Sequence, residues 1–239
     1  MKISFKNDYS EGAHINILQA LVNYNEDQQP GYGEDFYSLQ AKENIKQQLK
    51  SEPSEIFFVS GGTQANLIVI SALLKPYQAV ISASSGHILN NETGAIEATG
   101  HKVLGIQTAD GKLRPEDIIP VLEGHKNVPH QVMPKLVYIS NSTELGTIYQ
   151  LEELKALSDF CKAQNLILFL DGARLAQALT SEINDIKFEQ LADLTDVFYI
   201  GGTKNGALLG EGIVLNNPNL QDDFAFNIKQ KGALLAKGR

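Results

Sequence analysis

Cysteine is nearly missing from this chain: Cys161 is the one such residue in 239. An internal disulfide is therefore impossible. The place of Cys161 in the helix-like LSDFCKAQ reads as core packing, not as a nucleophile. Blocks of lysine and arginine are missing too. With 20 Lys+Arg against 28 Asp+Glu, the formal net charge is −8. A nucleic-acid binder would instead carry clustered positive charge. Long apolar runs are absent: LIVISALL and NLILFL are too short to span a bilayer, and MKISFKNDYSEG has no apolar core of a secretory signal. These absences exclude nucleic acid and membrane as expected partners and fit a reducing cytoplasm. No Pro/Gly/Ser linker, internal repeat or low-complexity tract divides the chain.

What is present is ordinary globular composition, 43% hydrophobic and 20% charged. Short apolar runs alternate with helix-like stretches. EIFFVS, AVISAS, KVLGIQT, PKLVYISNS, LILFLDGA, DVFYIGG and GEGIVLNN read as strands. INILQALVNY, SLQAKENIKQQLK, TQANLIVISALLK and LEELKALSDFCKAQN read as helices, the last closed by Asn165, and KFEQLADL as a short one. NNETGAIEATG is expected to be a helix ending at Gly100. RPEDIIPVLEGHKN looks helical but is expected to be left irregular or broken by Pro120. Most strands are apolar on both faces. That pattern predicts one α/β domain, a mostly parallel central sheet with helices on both faces. Ligands of such sheets sit beyond the carboxyl ends of the strands.

Three motifs fall at that edge. In VSGGTQAN, Gly61 and Gly62 lead from a strand to a helix start, whose free N–H groups suit phosphate. An ordinary turn capped by Thr63 is an equal reading. In LILFLDGARL, Asp171 ends an apolar strand. A carboxylate there is costly unless it meets a cation, or else it caps the next segment. Arg174 stands close enough to pair with Asp171 or to bind an anion. In FYIGGTKNG, Lys204 follows a strand between glycines that would let backbone and ligand lie close together; most loop lysines are merely solvated. One ligand accounts for all three. Pyridoxal 5'-phosphate needs a phosphate cup, a carboxylate for its ring nitrogen and a lysine to bond its aldehyde carbon.

In their order GYGED, SGGTQAN, SSGHILNNETGA, DGARL and GGTK, these motifs resemble the low-specificity L-threonine aldolase and β-eliminating lyase family of fold-type-I pyridoxal-phosphate enzymes. The resemblance runs from KNDYSEG to IVLNN. It implies that Lys204 holds the cofactor covalently and that Asp171 keeps the ring nitrogen protonated. It implies that His87 stacks on the ring and that Gly62 and Thr63, with Thr203, bind the phosphate. It places Arg174 beside the cofactor and the substrate carboxylate. It places Asn7 near the substrate, and Tyr32 near the site, across an interface of a homodimer or homotetramer. No metal is implied.

Two departures bear on the substrate. SNSTELGT, with Thr143 and Glu144, stands where many threonine aldolases have a histidine, and Asn7 where a serine is common. The family's small C-terminal domain is expected to be absent, leaving one domain over residues 1–239. The implied reaction is cleavage of the Cα–Cβ bond of a β-hydroxy-α-amino acid, threonine or allo-threonine, to glycine and acetaldehyde. Either His87 or a bound water would be the base. β-Elimination on the same cofactor is the alternative, and a non-catalytic phosphate-ligand module a second one.

Overall fold

The computed structural model describes residues 3–237. Helix α1 (Ile15–Asn23) and α2 (Phe36–Leu49) precede the sheet. Asp35 caps α2, accepting from the Ser38 N–H at 2.9 Å and the Ser38 hydroxyl at 2.7 Å. Then follow β1 (Glu55–Val59), α3 (Gly62–Leu73), β2 (Gln78–Ala83), α4 (His87–Asn90), α5 (Ala95–Ala98) and β3 (Lys102–Ile106). The chain continues with α6 (Pro115–Gly124), β4 (Met133–Ser140), α7 (Leu151–Ala163), β5 (Ile167–Asp171) and α8 (Leu175–Leu179). It closes with α9 (Leu191–Leu194), β6 (Val197–Gly201), β7 (Glu211–Leu215) and α10 (Phe224–Gln230).

The seven strands form one sheet in the order β1-β7-β6-β5-β4-β2-β3. β7 runs antiparallel to both its neighbours. The other six therefore point the same way and end at one edge. Alternate side chains feed two cores. On one face Val137, Leu168, Leu170 and Phe198 meet α6, α7 and α9. On the other Leu136, Phe169, Val197 and Ile213 meet α3, α5 and α10. Phe169 is fully buried, and such burial contributes about 1.5–3 kcal/mol per side chain. The period of two puts Tyr138 of β4, Asp171 of β5 and Tyr199 of β6 on the α3 side of the sheet.

The strands and long helices lie where the sequence predicts them, and Asn165 does close α7, with a left-handed φ of 53°. Cys161 is buried in the core, its thiol pushed up to about 12 by burial. Two expectations are corrected. Pro120 does not break its segment: α6 runs unbroken through it, starting with Pro115 at its first turn. The start is fixed by the Asp117 carboxylate, which accepts from the Arg114 N–H at 2.8 Å, and Ile118 anchors the helix in the core. Pro120 faces solvent, so the carbonyl it leaves unpaired can bind water. NNETGAIEATG is not one helix. Thr93 and Gly94 take left-handed φ values of 54° and 71°, which separate α4 from α5. Among the described residues no helix is long and apolar enough to cross a membrane.

Candidate active site

Glycine makes the floor of the site possible. A Cβ on Gly172 would lie 1.8 Å from the Tyr199 carbonyl oxygen, and one on Gly201 2.4 Å from that of Ala173. The turns after β5 and β6 thus press backbone to backbone, joined by the Gly201 N–H donating to the Gly172 carbonyl at 2.9 Å. Gly202 likewise faces the Gly210 carbonyl, which a Cβ would approach to 2.6 Å. The glycines beside Lys204 serve contacts within the chain, where the sequence suggested approach to a ligand.

Above this floor lies a cleft of about 410 Å³, within the range of small-ligand sites. Asp171, Lys204 and the start of α3 line it together. Asp171 is 4% exposed and accepts four hydrogen bonds. Tyr199 and Tyr138 donate to its two oxygens, as do the Ala173 N–H at 3.0 Å and Asn66 Nδ2 at 3.2 Å. Burial holds both tyrosine hydroxyls well above their usual range, so they remain donors. Asp171 is not the cap of a helix: α8 starts beyond it, at Leu175. Thr63 caps nothing either, because α3 starts at Gly62 behind an extended Gly61 with no side-chain cap. The helix presents its first N–H groups uncapped beside Gly61, Gly62 and Thr63.

Lys204 has no ion-pair partner among the described residues; its Nζ lies 5.9 Å from the Tyr9 ring centroid. Glu211, at the start of the reversed β7, holds the lysine turn. Its Oε2 accepts from the Gly202 N–H at 2.8 Å and its Oε1 from the Thr203 hydroxyl at 3.0 Å. Burial raises the Glu211 carboxyl above its ordinary value.

His87 reaches the cleft from the other side. Its Nδ1 lies 2.9 Å from Glu92 Oε1, which also accepts from Asn66 Nδ2 at 2.7 Å. The Glu92 hydrogen bond raises the His87 pKa, against burial and with the help of the Glu92 charge. Asn66 thus ties Glu92 to Asp171, and its orientation is set because its amide nitrogen faces two carboxylates. Glu144 also lines the cleft, accepting through Oε1 from the His87 N–H at 3.0 Å and the Ser140 hydroxyl at 2.9 Å.

Arg174 pairs with Asp8, not Asp171, in two bonds of 2.6 and 3.1 Å. Burial opposes ionisation of Asp8, but the Arg174 hydrogen bond and charge outweigh it and hold the carboxyl below its usual range. The structure gathers Gly62, Thr63, His87, Asp171, Arg174, Thr203 and Lys204 around one cleft. It does not bring Asn7 or Tyr32 there. Asn7 Oδ1 accepts instead from the Tyr9 N–H and the Ser10 hydroxyl, and its neighbour Tyr9 lines the cleft. Tyr32 lines a separate cavity of about 430 Å³, with Lys229 Nζ 4.3 Å from its ring centroid.

The sequence did not single out Tyr138, Tyr199, Asn66, Glu92, Glu211 or Asp8. Asn66 had a signal, an amide heading the apolar run NLIVISALL, and so had Glu211, a carboxylate opening a buried strand.

The sequence pattern of the β-eliminating lyase family matches residues 15–237. The chain is 34% identical over 238 residues to the low specificity L-threonine aldolase of Pseudomonas aeruginosa, covering 98% of this chain and 68% of that protein. It superposes on the threonine aldolase structure from Leishmania major with a TM-score of 0.97 at 49% identity, covering 99% of this chain and 69% of that one. Aspartate aminotransferase from Thermus thermophilus shares the fold alone, with a TM-score of 0.70 at 15% identity, covering 95% of this chain and 60% of that one. The chain belongs to the β-eliminating lyase family. It is a pyridoxal-phosphate-dependent lyase of fold type I.

The residues present fit that cofactor. The cleft offers uncapped helix N–H groups for a phosphate, a buried carboxylate with no cation partner among the described residues, and an unpaired lysine.

Proposed function

We propose that this lyase cleaves the Cα–Cβ bond of β-hydroxy-α-amino acids, with L-threonine or L-allo-threonine giving glycine and acetaldehyde. The observation that carries this reading is the meeting of Lys204, Asp171 and the open start of α3 in one cleft. The relatives named threonine aldolase support the choice of bond. When bound, pyridoxal phosphate supplies a sink for the electron pair left on Cα. Lys204 would hold the group through its amine and yield it to the substrate amine. Asp171, fixed by its four donors, would keep a proton on the ring nitrogen. Gly62 and Thr63 would offer main-chain N–H groups to the phosphate, with Thr203 beside them. His87, steadied by Glu92, would offer its imidazole face. Arg174 would take the substrate carboxylate once Asp8 gives way. Tyr32 would serve the site of a neighbouring copy in a homodimer or homotetramer.

The test is product analysis of the purified protein loaded with pyridoxal phosphate. Glycine and acetaldehyde from L-threonine are the expected products. Ammonia and a keto acid from a substrate with a leaving group at Cβ, without any aldehyde from threonine, would establish β-elimination instead.

A further inference from the structure

Cleavage of a β-hydroxy amino acid requires a base for the hydroxyl proton, and the cleft limits the choice. Three carboxylates line it: Asp171, Glu211 and Glu144. Asp171 accepts from four donors, two on each oxygen. Glu211 is committed through Oε1 to Thr203 and through Oε2 to Gly202. Glu144 differs. Oε1 takes both its inter-residue hydrogen bonds, from the His87 N–H and the Ser140 hydroxyl. No other described residue donates to Oε2, and Glu144 forms no ion pair among them. Asp8, the partner of Arg174, is held there through both its oxygens. His87 is committed at Nδ1 to the buried Glu92, which fixes the plane of its ring.

We propose that Glu144 is the catalytic base, its Oε2 taking the β-hydroxyl proton of the substrate as the Cα–Cβ bond breaks. The O–H electrons become the second bond of the aldehyde carbonyl, and the Cα–Cβ pair stays on Cα. Glu144 then loses its proton to water and Cα gains one, so glycine and aldehyde leave with no net change in protons. The site helps: burial raises the Glu144 carboxyl, with the Asp171 charge adding to the rise, which strengthens it as a base. Two fixed donors on Oε1 hold the group in one orientation.

This assignment rests on the aldolase reading above, and Glu144→Gln in the holoenzyme separates the two. Glutamine keeps an acceptor for His87 and Ser140, so the urea unfolding midpoint of the cofactor-free variant should match wild type. Cleavage of L-threonine should fall by about 100-fold or more, the usual range for losing a general base. Glycine has no hydroxyl. Its binding, followed by the visible spectrum, and the exchange of its Cα hydrogen for solvent deuterium should therefore stay within a few-fold, on the order of what loss of a nearby charge produces. Threonine cleavage retained within a few-fold would overturn the assignment. So would equal losses of cleavage and glycine exchange, which would make Glu144 a support for His87 and Ser140. A wild-type protein that binds cofactor and exchanges glycine but cleaves no β-hydroxy amino acid overturns the aldolase reading, and this base with it.

Discussion

Lys204 is the proposed point of covalent attachment, and it stands in the cleft without a neutralising carboxylate partner among the described residues. Borohydride treatment of the loaded wild type should fix the cofactor's mass on the peptide carrying Lys204, while Lys204→Ala should show neither added mass nor the bound visible absorbance. His87 allows a test in the cofactor-free protein. Its pKa in the folded chain is raised from 6.5, first by the Glu92 hydrogen bond. A raised folded pKa contributes stability that is full below the unfolded value and is lost as pH climbs through the folded one. The advantage of wild type over His87→Gln in urea unfolding should therefore be largest just below pH 6.5 and shrink above it. An advantage that grows with pH would mean that Glu92 does not hold His87 in its charged form.

Among elements, the contact of the β5 and β6 turns leaves no room for a side chain. Gly172→Ala would set a methyl 1.8 Å from the Tyr199 oxygen. Overpacking of this kind costs about 1–3 kcal/mol or more, so a clear drop in unfolding midpoint is expected, with weaker cofactor retention because Asp171 is adjacent. α6 should respond the other way. Pro120→Ala restores an N–H to a solvent-facing position in an unbroken helix and should raise the urea midpoint, since proline in a helix interior costs about 3 kcal/mol before its effect on the unfolded chain is counted. These cases mark what the sequence could express. Strands such as LILFLD were legible because they are apolar on both faces, and their glycine turns punctuate them. α6 was not, because proline's local cost was outweighed by capping at Asp117 and the burial of Ile118. Of the site, Asp171 was legible as a carboxylate ending an apolar strand and Lys204 as a lysine just past one, between glycines. Tyr138 and Tyr199 were hidden, since tyrosine in a buried run looks like packing until the register sets both beside one carboxylate. The pairing of Arg174 with Asp8 joins residues far apart in the chain, which no local pattern encodes.

Across the whole molecule, α1 is the element least accounted for by a single copy. Ile15 is 68% and Val22 71% exposed, and no residue of the helix is buried. Such apolar exposure suits an interface, in line with the proposed homo-oligomer. Sedimentation should report a mass above the 26.1 kDa of one chain, and Val22→Glu should lower it; a wild type that sediments as a single chain would remove this reading. The reversed β7 has a consequence for biosynthesis. β1 has β7 as its sole neighbour in the sheet, with Glu55 opposite Leu215. During translation the earliest strand to leave the ribosome must wait, unpaired, for the latest one. The hairpin that carries Lys204 is completed in that same closing step, so a nascent chain gains its reactive amine's final setting only when the sheet is zipped shut.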